Sequence, residues 1–260
     1  MVFRKALGLL LATFLIFLLA ACGSGSTGNN PSAQTWPYTA LGDSLAAGAL
    51  AQQGYVQRYA TYLNADTGAN ITTTNLGVPG WHSDDLLNAI QTDQNMRNSL
   101  SNAEVVTFDI GGNDLANAHD RYTKGQCNEG TDDQDCLRNA VSNFEKNWDQ
   151  IVTELLKLRD QGKTIIRTMD IYNPYVASDQ QAGIYDIVEP YLDEVNSHIH
   201  QSGQANQIPV AAVHQAFNGA NGTQDPSTQG LIAVDGFHPN DAGHKVIADQ
   251  LRQLGYSPLH

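Results

Sequence analysis

Positive charge is scarce in this sequence: 14 Lys and Arg stand against 27 Asp and Glu, for a formal net charge of -13. Nucleic-acid binding rests on neutralising phosphates with Lys and Arg, so no nucleic-acid partner is expected. Strong electrostatic attachment to anionic lipid is disfavoured for the same reason. Cysteine is rare, at three residues, and neither a histidine nor a further cysteine stands at zinc-ligand spacing from Cys127 and Cys136. Within residues 36–260 there is no G-x-G-x-x-G and no G-x-x-x-x-G-K-S/T, so neither a dinucleotide nor a nucleoside triphosphate site is indicated. The G-x-S-x-G elbow of α/β-hydrolases is missing as well. No internal repeat is evident, and no cofactor or metal is expected.

Long apolar runs are also lacking. The longest, Ala6 to Ala21, is interrupted by Thr13 and falls short of the roughly 18 apolar residues of a membrane-spanning helix. With Arg4 and Lys5 before it, residues 1–21 read as a secretory signal peptide. The run ends in Leu19-Ala20-Ala21-Cys22, which resembles a bacterial lipobox, so Cys22 is expected to be lipidated. Residues 22–35, rich in Gly, Ser and Asn, would form a flexible tether. The expected product is an exported, lipid-anchored protein of the bacterial cell envelope, with residues 36–260 as one monomeric domain. Removing Arg4 and Lys5, with no acid among the first 21 residues, takes the formal charge from -13 to -15. An exported setting permits disulfides, and Cys127 and Cys136 are the expected pair, bracketing the acidic segment NEGTDDQD.

Residues 36–260 alternate strand-like and helix-like patterns. Strands are expected at Tyr38–Gly42, Asn70–Leu76, Glu104–Ile110, Lys163–Met169 and Ile208–Val213. Helices are expected at Tyr55–Asn64, after an N-cap at Ser83, at Leu137–Arg159, at Ile184–His200 with a kink or split at Pro190, and at Asn240–Leu254. This order implies an α/β fold with a five-stranded, mainly parallel sheet and helices on both faces.

YTALGDSLAAG, residues 38–48, carries the first chemical signal. A strand that stops at a serine and turns into a helix leaves the hydroxyl at the carboxyl edge of the sheet, where open α/β proteins place their sites. An alcohol becomes a nucleophile at neutral pH only with a base to take its proton and a group to orient that base. VDGFHPNDAGH, residues 234–244, places Asp235 three residues before His238 on a turn. The carboxylate can reach one ring nitrogen and leave the other for the serine. Gly77 and Asn113 follow the second and third strands, where a backbone N–H and a side-chain amide can serve a developing oxyanion.

Gly42-Asp43-Ser44-Leu45, Gly77, Gly111-Gly112-Asn113-Asp114 and Asp235-Gly236-Phe237-His238 resemble, in order, the four motif blocks of the SGNH or GDSL hydrolases. The likeness is nearest the bacterial lysophospholipase-like and arylesterase-like branch, and the blocks span about 200 residues. The resemblance implies a flavodoxin-like three-layer α/β/α fold with sheet order 2-1-3-4-5. It implies Ser44 as nucleophile, His238 as general base and Asp235 as its orienter. Ser44 N–H, Gly77 N–H and the Asn113 amide would be the oxyanion donors. The activity implied is that of a serine esterase acting on lipid, glycan or small-molecule esters. Removal of acetyl groups from envelope or extracellular polysaccharide is one alternative; a non-catalytic binding lipoprotein is another.

Lesser expectations attach to other residues. Trp81 and His82 either border the substrate pocket or, for Trp81, pack beneath the Gly77 loop. Asp43 and Asp114 brace loops. His198 and His200 point to different faces of a helix and make a poor metal pair, while His244 belongs to the surface of the last helix. Asp132, Asp133 and Asp135 form a solvated acidic face rather than a calcium loop. Residues 116–136 form an irregular connection that walls or covers the site.

Overall fold

The computed structural model describes residues 34–127 and 130–260; the signal-peptide, lipidation and tether expectations up to residue 33 lie outside the described residues. In chain order the elements are β1 (Thr35–Gly42), α1 (Ser44–Ala47), α2 (Tyr55–Thr67), β2 (Asn70–Gly77), α3 (Ser83–Thr92), α4 (Gln94–Asn102), β3 (Val105–Phe108) and α5 (Gly112–Thr123). They continue with α6 (Asp135–Leu158), β4 (Ile165–Met169), α7 (Val176–Ala182), α8 (Tyr185–Ala205), β5 (Val210–Ala211), α9 (Val213–Asn218) and α10 (Asp241–Gln253). The five strands form one parallel sheet in the order β2-β1-β3-β4-β5, as the resemblance implies.

Alternation along the buried strands builds a core on each face. Tyr38 and Ala40 of β1 and Val105 of β3 join Tyr55, Tyr59 and Leu63 of α2 and Ile247 and Leu251 of α10. Leu41, Val106 and Phe108 join the opposite core, with Leu86 and Ile90 of α3, Leu100 of α4, Ile199 of α8 and the α6 stripe Phe144, Trp148 and Ile151. Parallel strands covered on both faces read as continuous apolar runs for this reason. A satellite cluster holds Cys127, Cys136, Leu137 and Val188. The Cys127 and Cys136 Cα atoms are 4.9 Å apart, within the span of a disulfide.

Several expectations change. Residues 116–136 are not an irregular connection throughout, because α5 continues to Thr123. Its buried face is a single residue, Ala118, so no apolar period announces it. The helices α4, α7 and α9 are nine residues or fewer, too short to carry more than a pair of buried apolar positions, and go unsignalled. The helix α8 runs through Pro190 without a split. Ser83 is the first residue of α3 rather than its cap, and the Asp85 carboxylate receives the His82 N–H (3.0 Å). Arg138 engages both Asp132 and Asp135, so these carboxylates are paired on the surface. His198 and His200 do diverge, to Asp149 and Asp170 respectively.

His244 is wholly buried rather than on the surface. It stands at the spacing of Ile247 and Leu251 on the inner stripe of α10. Its Nδ1 accepts the Tyr55 N–H (3.2 Å) and its ring stacks on that of Tyr55. Burial pushes the imidazole down to about 4, with Arg58 and Asp241 the nearby charges of opposite effect. An unfolded histidine takes up a proton below about pH 6.5, whereas the folded one waits for stronger acid. The stability this residue contributes is therefore complete above that pH and is lost as pH falls towards its folded value. Buried Asp43 and Asp109 act with the opposite sign, so a comparison with His244→Gln isolates the histidine. Urea denaturation should show the wild-type advantage shrinking by roughly 2 kcal/mol between about pH 7 and about pH 5; equal slopes in the two proteins would refute the assignment.

Candidate active site

The turn after β1 is dictated by crowding. Gly42 has φ 143°, and a Cβ there would lie 2.5 Å from the Asp109 carbonyl oxygen. Only glycine lets β1 end this close to the segment after β3. Asp43 then caps α1, its Oδ1 accepting the Leu45 N–H at 2.9 Å, an arrangement typically worth about 1 kcal/mol. Ser44 is the first residue of α1, so its N–H has no intrahelical acceptor.

The partner of Ser44 comes from 194 positions along the chain. His238 Nε2 is 2.9 Å from Ser44 Oγ, and His238 Nδ1 is 2.5 Å from Asp235 Oδ2. Asp235 Oδ1 also accepts the N–H groups of Phe237 and His238, each at 3.1 Å. Gly236, at φ 74°, supplies the left-handed residue that this turn needs. Desolvation is the largest single influence on Asp235 and opposes its ionisation, but the bonds from His238 and the two N–H groups together outweigh it and hold the carboxyl below its ordinary range. With an ionised Asp235 accepting from Nδ1–H, Nε2 is left free to accept the serine proton.

Two further predicted residues converge here by different means. Asn113 follows Gly111 on the first turn of α5, and one amide N–H donates to the Trp81 carbonyl (2.8 Å). That bond fixes the amide and leaves its second N–H available. Gly77 is in register with Gly42 across β1 and β2, and a Cβ there would meet Ala47 N at 2.5 Å. Its N–H donates to Asn75 Oδ1 (3.0 Å), so the oxyanion role requires exchange of that acceptor for a substrate oxygen. Trp81 contributes a carbonyl to the site while its side chain packs on the core; neither Trp81 nor His82 lines the cavity beside Ser44. Asp114 braces as expected, accepting from Ser83 N and Oγ at 2.9 and 2.6 Å.

A family model described as the GDSL-like lipase/acylhydrolase family matches residues 40–246. The chain belongs to this family. It is a carboxylic ester hydrolase, on a fold shared with solved SGNH hydrolases. The chain is 28% identical over 258 residues to the uncharacterized protein YpmR of Bacillus subtilis (strain 168), covering 92% of each. The lipase Lip_vut3 from a goat rumen metagenome aligns with a TM-score of 0.74 at 24% identity, over 87% of this chain and 100% of that one. Axe2, an acetylxylan esterase from Geobacillus stearothermophilus, aligns with a TM-score of 0.63 at 21% identity, over 86% and 95%.

Some supporting residues of this GDSL-like site carry no sequence motif. Asp109 accepts the Asp43 N–H (3.3 Å) and the Tyr55 hydroxyl (2.5 Å). Burial, then their mutual proximity, pushes the Asp43 carboxyl up, and burial does the same to Asp109. The one sequence sign of Asp109 was a carboxylate at the end of an apolar strand. Tyr172 donates its hydroxyl to the Phe237 carbonyl (2.7 Å), steadying the His238 turn from β4. Next to the reacting groups lies a cavity with room of about 90 Å³ for water-sized occupants. Ser44 and Asn113 stand on its wall, with side chains of α5, α6 and α8 opposite.

The registry of His238 on Ser44 is held by Asp241. Its carboxylate accepts the N–H groups of Gln52 and Gln53 (3.1 and 3.0 Å) and Arg58 Nη2 (2.9 Å). This ties the start of α10 to the segment following α1. Asp241→Ala should lower kcat several-fold per active site, counted by the burst of released alcohol, with a smaller effect on KM. An unchanged kcat per titrated site would show that Asp241 affects stability alone.

Proposed function

We propose that the chain hydrolyses esters through an acyl-enzyme on Ser44, with His238 as general base and acid and Asp235 as its orienter. The carrying observation is the unbroken contact from Asp235 Oδ2 through both nitrogens of His238 to Ser44 Oγ. Ser44 Oγ attacks the ester carbonyl carbon while its proton passes to His238 Nε2. The carbon–oxygen bond to the alcohol then breaks, and the departing oxygen takes that proton. Water attacks the acyl-enzyme, returning its proton through His238 to Ser44 and releasing the acid. Charge on the carbonyl oxygen is met by Ser44 N–H, the free amide N–H of Asn113 and, after exchange from Asn75, Gly77 N–H.

Replacing Ser44 or His238 by Ala should cut kcat on p-nitrophenyl esters by about a thousandfold or more. Asn113→Ala should cost about a hundredfold, chiefly in kcat. A Ser44→Ala enzyme that kept wild-type turnover would overturn the mechanism.

The proposal includes setting. Residues 1–21 would direct export, Cys22 would carry lipid at the envelope membrane, and Cys127 would be bonded to Cys136. The cysteine pair shares its apolar cluster with Leu137, Val188 and Tyr191, all of which line the cavity. Mild reduction should therefore change KM or ester preference while Ser44 remains reactive; no change in either would remove the bridge from the substrate-binding argument.

A further inference from the structure

We propose that the cavity beside Ser44 is an acyl-chain chamber for uncharged aliphatic acids of short-to-medium length, which makes their esters, rather than acetyl esters, the preferred substrates. The inference rests on the serine esterase reading above and adds the class of acid. Two observations carry it: the shape and the chemistry of the walls. The chamber is continuous with the reacting groups, since Ser44 and Asn113 line it together with Leu115 and Ala116 of α5, Leu137 of α6, and Val188 and Leu192 of α8. These side chains come from three helices that meet only above the carboxyl ends of β1, β3 and β4. An acetyl group needs no such space. One water needs roughly 10–15 Å³, so the chamber of about 90 Å³ holds on the order of six to nine heavy atoms. An aliphatic chain placed there gains binding with each methylene it takes out of water.

Charge narrows the class further. The wall includes Asp170, Asp179 and Glu189, besides Asp43 and Asp109 that burial pushes towards the neutral form, and no Lys or Arg. Asp170, Asp179 and Glu189 are nearly buried. His119, His200 and His214 stand 2.8, 2.9 and 3.6 Å from Asp179, Asp170 and Glu189, and Asn173 Nδ2 donates to Glu189 at 2.6 Å. Neutral chains therefore pass these walls, whereas an acid bearing a second carboxylate meets carboxyl groups whose histidines are already engaged and no Lys or Arg to pair with. Each such unpaired charge in a poorly hydrated cavity is strongly disfavoured.

The test is kcat/KM for p-nitrophenyl esters from acetate to palmitate, and for a hemi-ester of a dicarboxylic acid matched in length to the best substrate. Wild type should peak between about four and eight carbons and should process the anionic hemi-ester at least tenfold less well. Ala116→Phe, which fills the chamber, should lower the octanoate-to-acetate ratio at least tenfold. Leu192→Ala, which enlarges it, should move the optimum to longer chains. Ratios taken within one preparation do not depend on the fraction folded. A wild-type peak at acetate, or an Ala116→Phe ratio equal to wild type, would overturn the chamber while leaving the Ser44 mechanism standing. Loss of the mechanism would instead appear as Ser44→Ala turnover equal to wild type on every ester.

Discussion

Everything at this site depends on the docking of α10 against α2. Ser44 sits just before the segment leading into α2, and His238 sits just before α10, so the chemistry exists only where those helices meet. The seam is polar at its ends and apolar between. Asp241 clamps Gln52, Gln53 and Arg58 at one end, and Asp66 receives Arg252 and Tyr256 at the other. Tyr62 and Asp249 meet midway at 2.7 Å. Between them Tyr59, Leu63, Ile247 and Leu251 are fully buried. A serine–imidazole contact tolerates little misplacement, and the seam converts many modest bonds into that tolerance.

The acidic character of the chain has a different meaning at each depth. Asp235, mostly exposed and surrounded by donors, is held as an anion and can orient an imidazole. Asp43, next to the same serine, and Asp109, which accepts the Asp43 N–H, are buried and pushed towards the neutral form. They work as hydrogen-bonding struts under the nucleophile turn. Carboxyl groups of one chemical type thus divide between charge and scaffold according to their solvation.

The legible parts of the sequence were those written in contiguous residues. The alternation of apolar strands and helical stripes exposed the five strands, and the α6 pattern from Val141 to Leu155 mapped onto a real core face. Ser44, Asp235, His238 and Asn113 stood out because each turn combines small residues with a reactive group, and the structure brings all four together. What stayed hidden lies in backbone atoms and in encounters between distant segments. Trp81 presents a carbonyl to Asn113, Asn75 occupies the Gly77 N–H that the sequence did single out, and the cavity wall exists only once α5, α6 and α8 converge. His244 was legible in hindsight, since it shares the spacing of Ile247 and Leu251, but a histidine beside Asp241 and Lys245 reads as surface.

The carboxylates around the chamber bear on the end of the catalytic cycle as much as on its start. An ester arrives neutral, yet the acid that leaves it ionises at neutral pH. Its new carboxylate forms at Ser44, and no Lys or Arg stands on the chamber wall to retain it. Hydrolysis thus turns a neutral ligand that the proposed chamber accepts into an anion with no lysine or arginine there to hold it. On the proposed chamber, weak inhibition by the product acid is the expected consequence of walls that offer it no lysine or arginine.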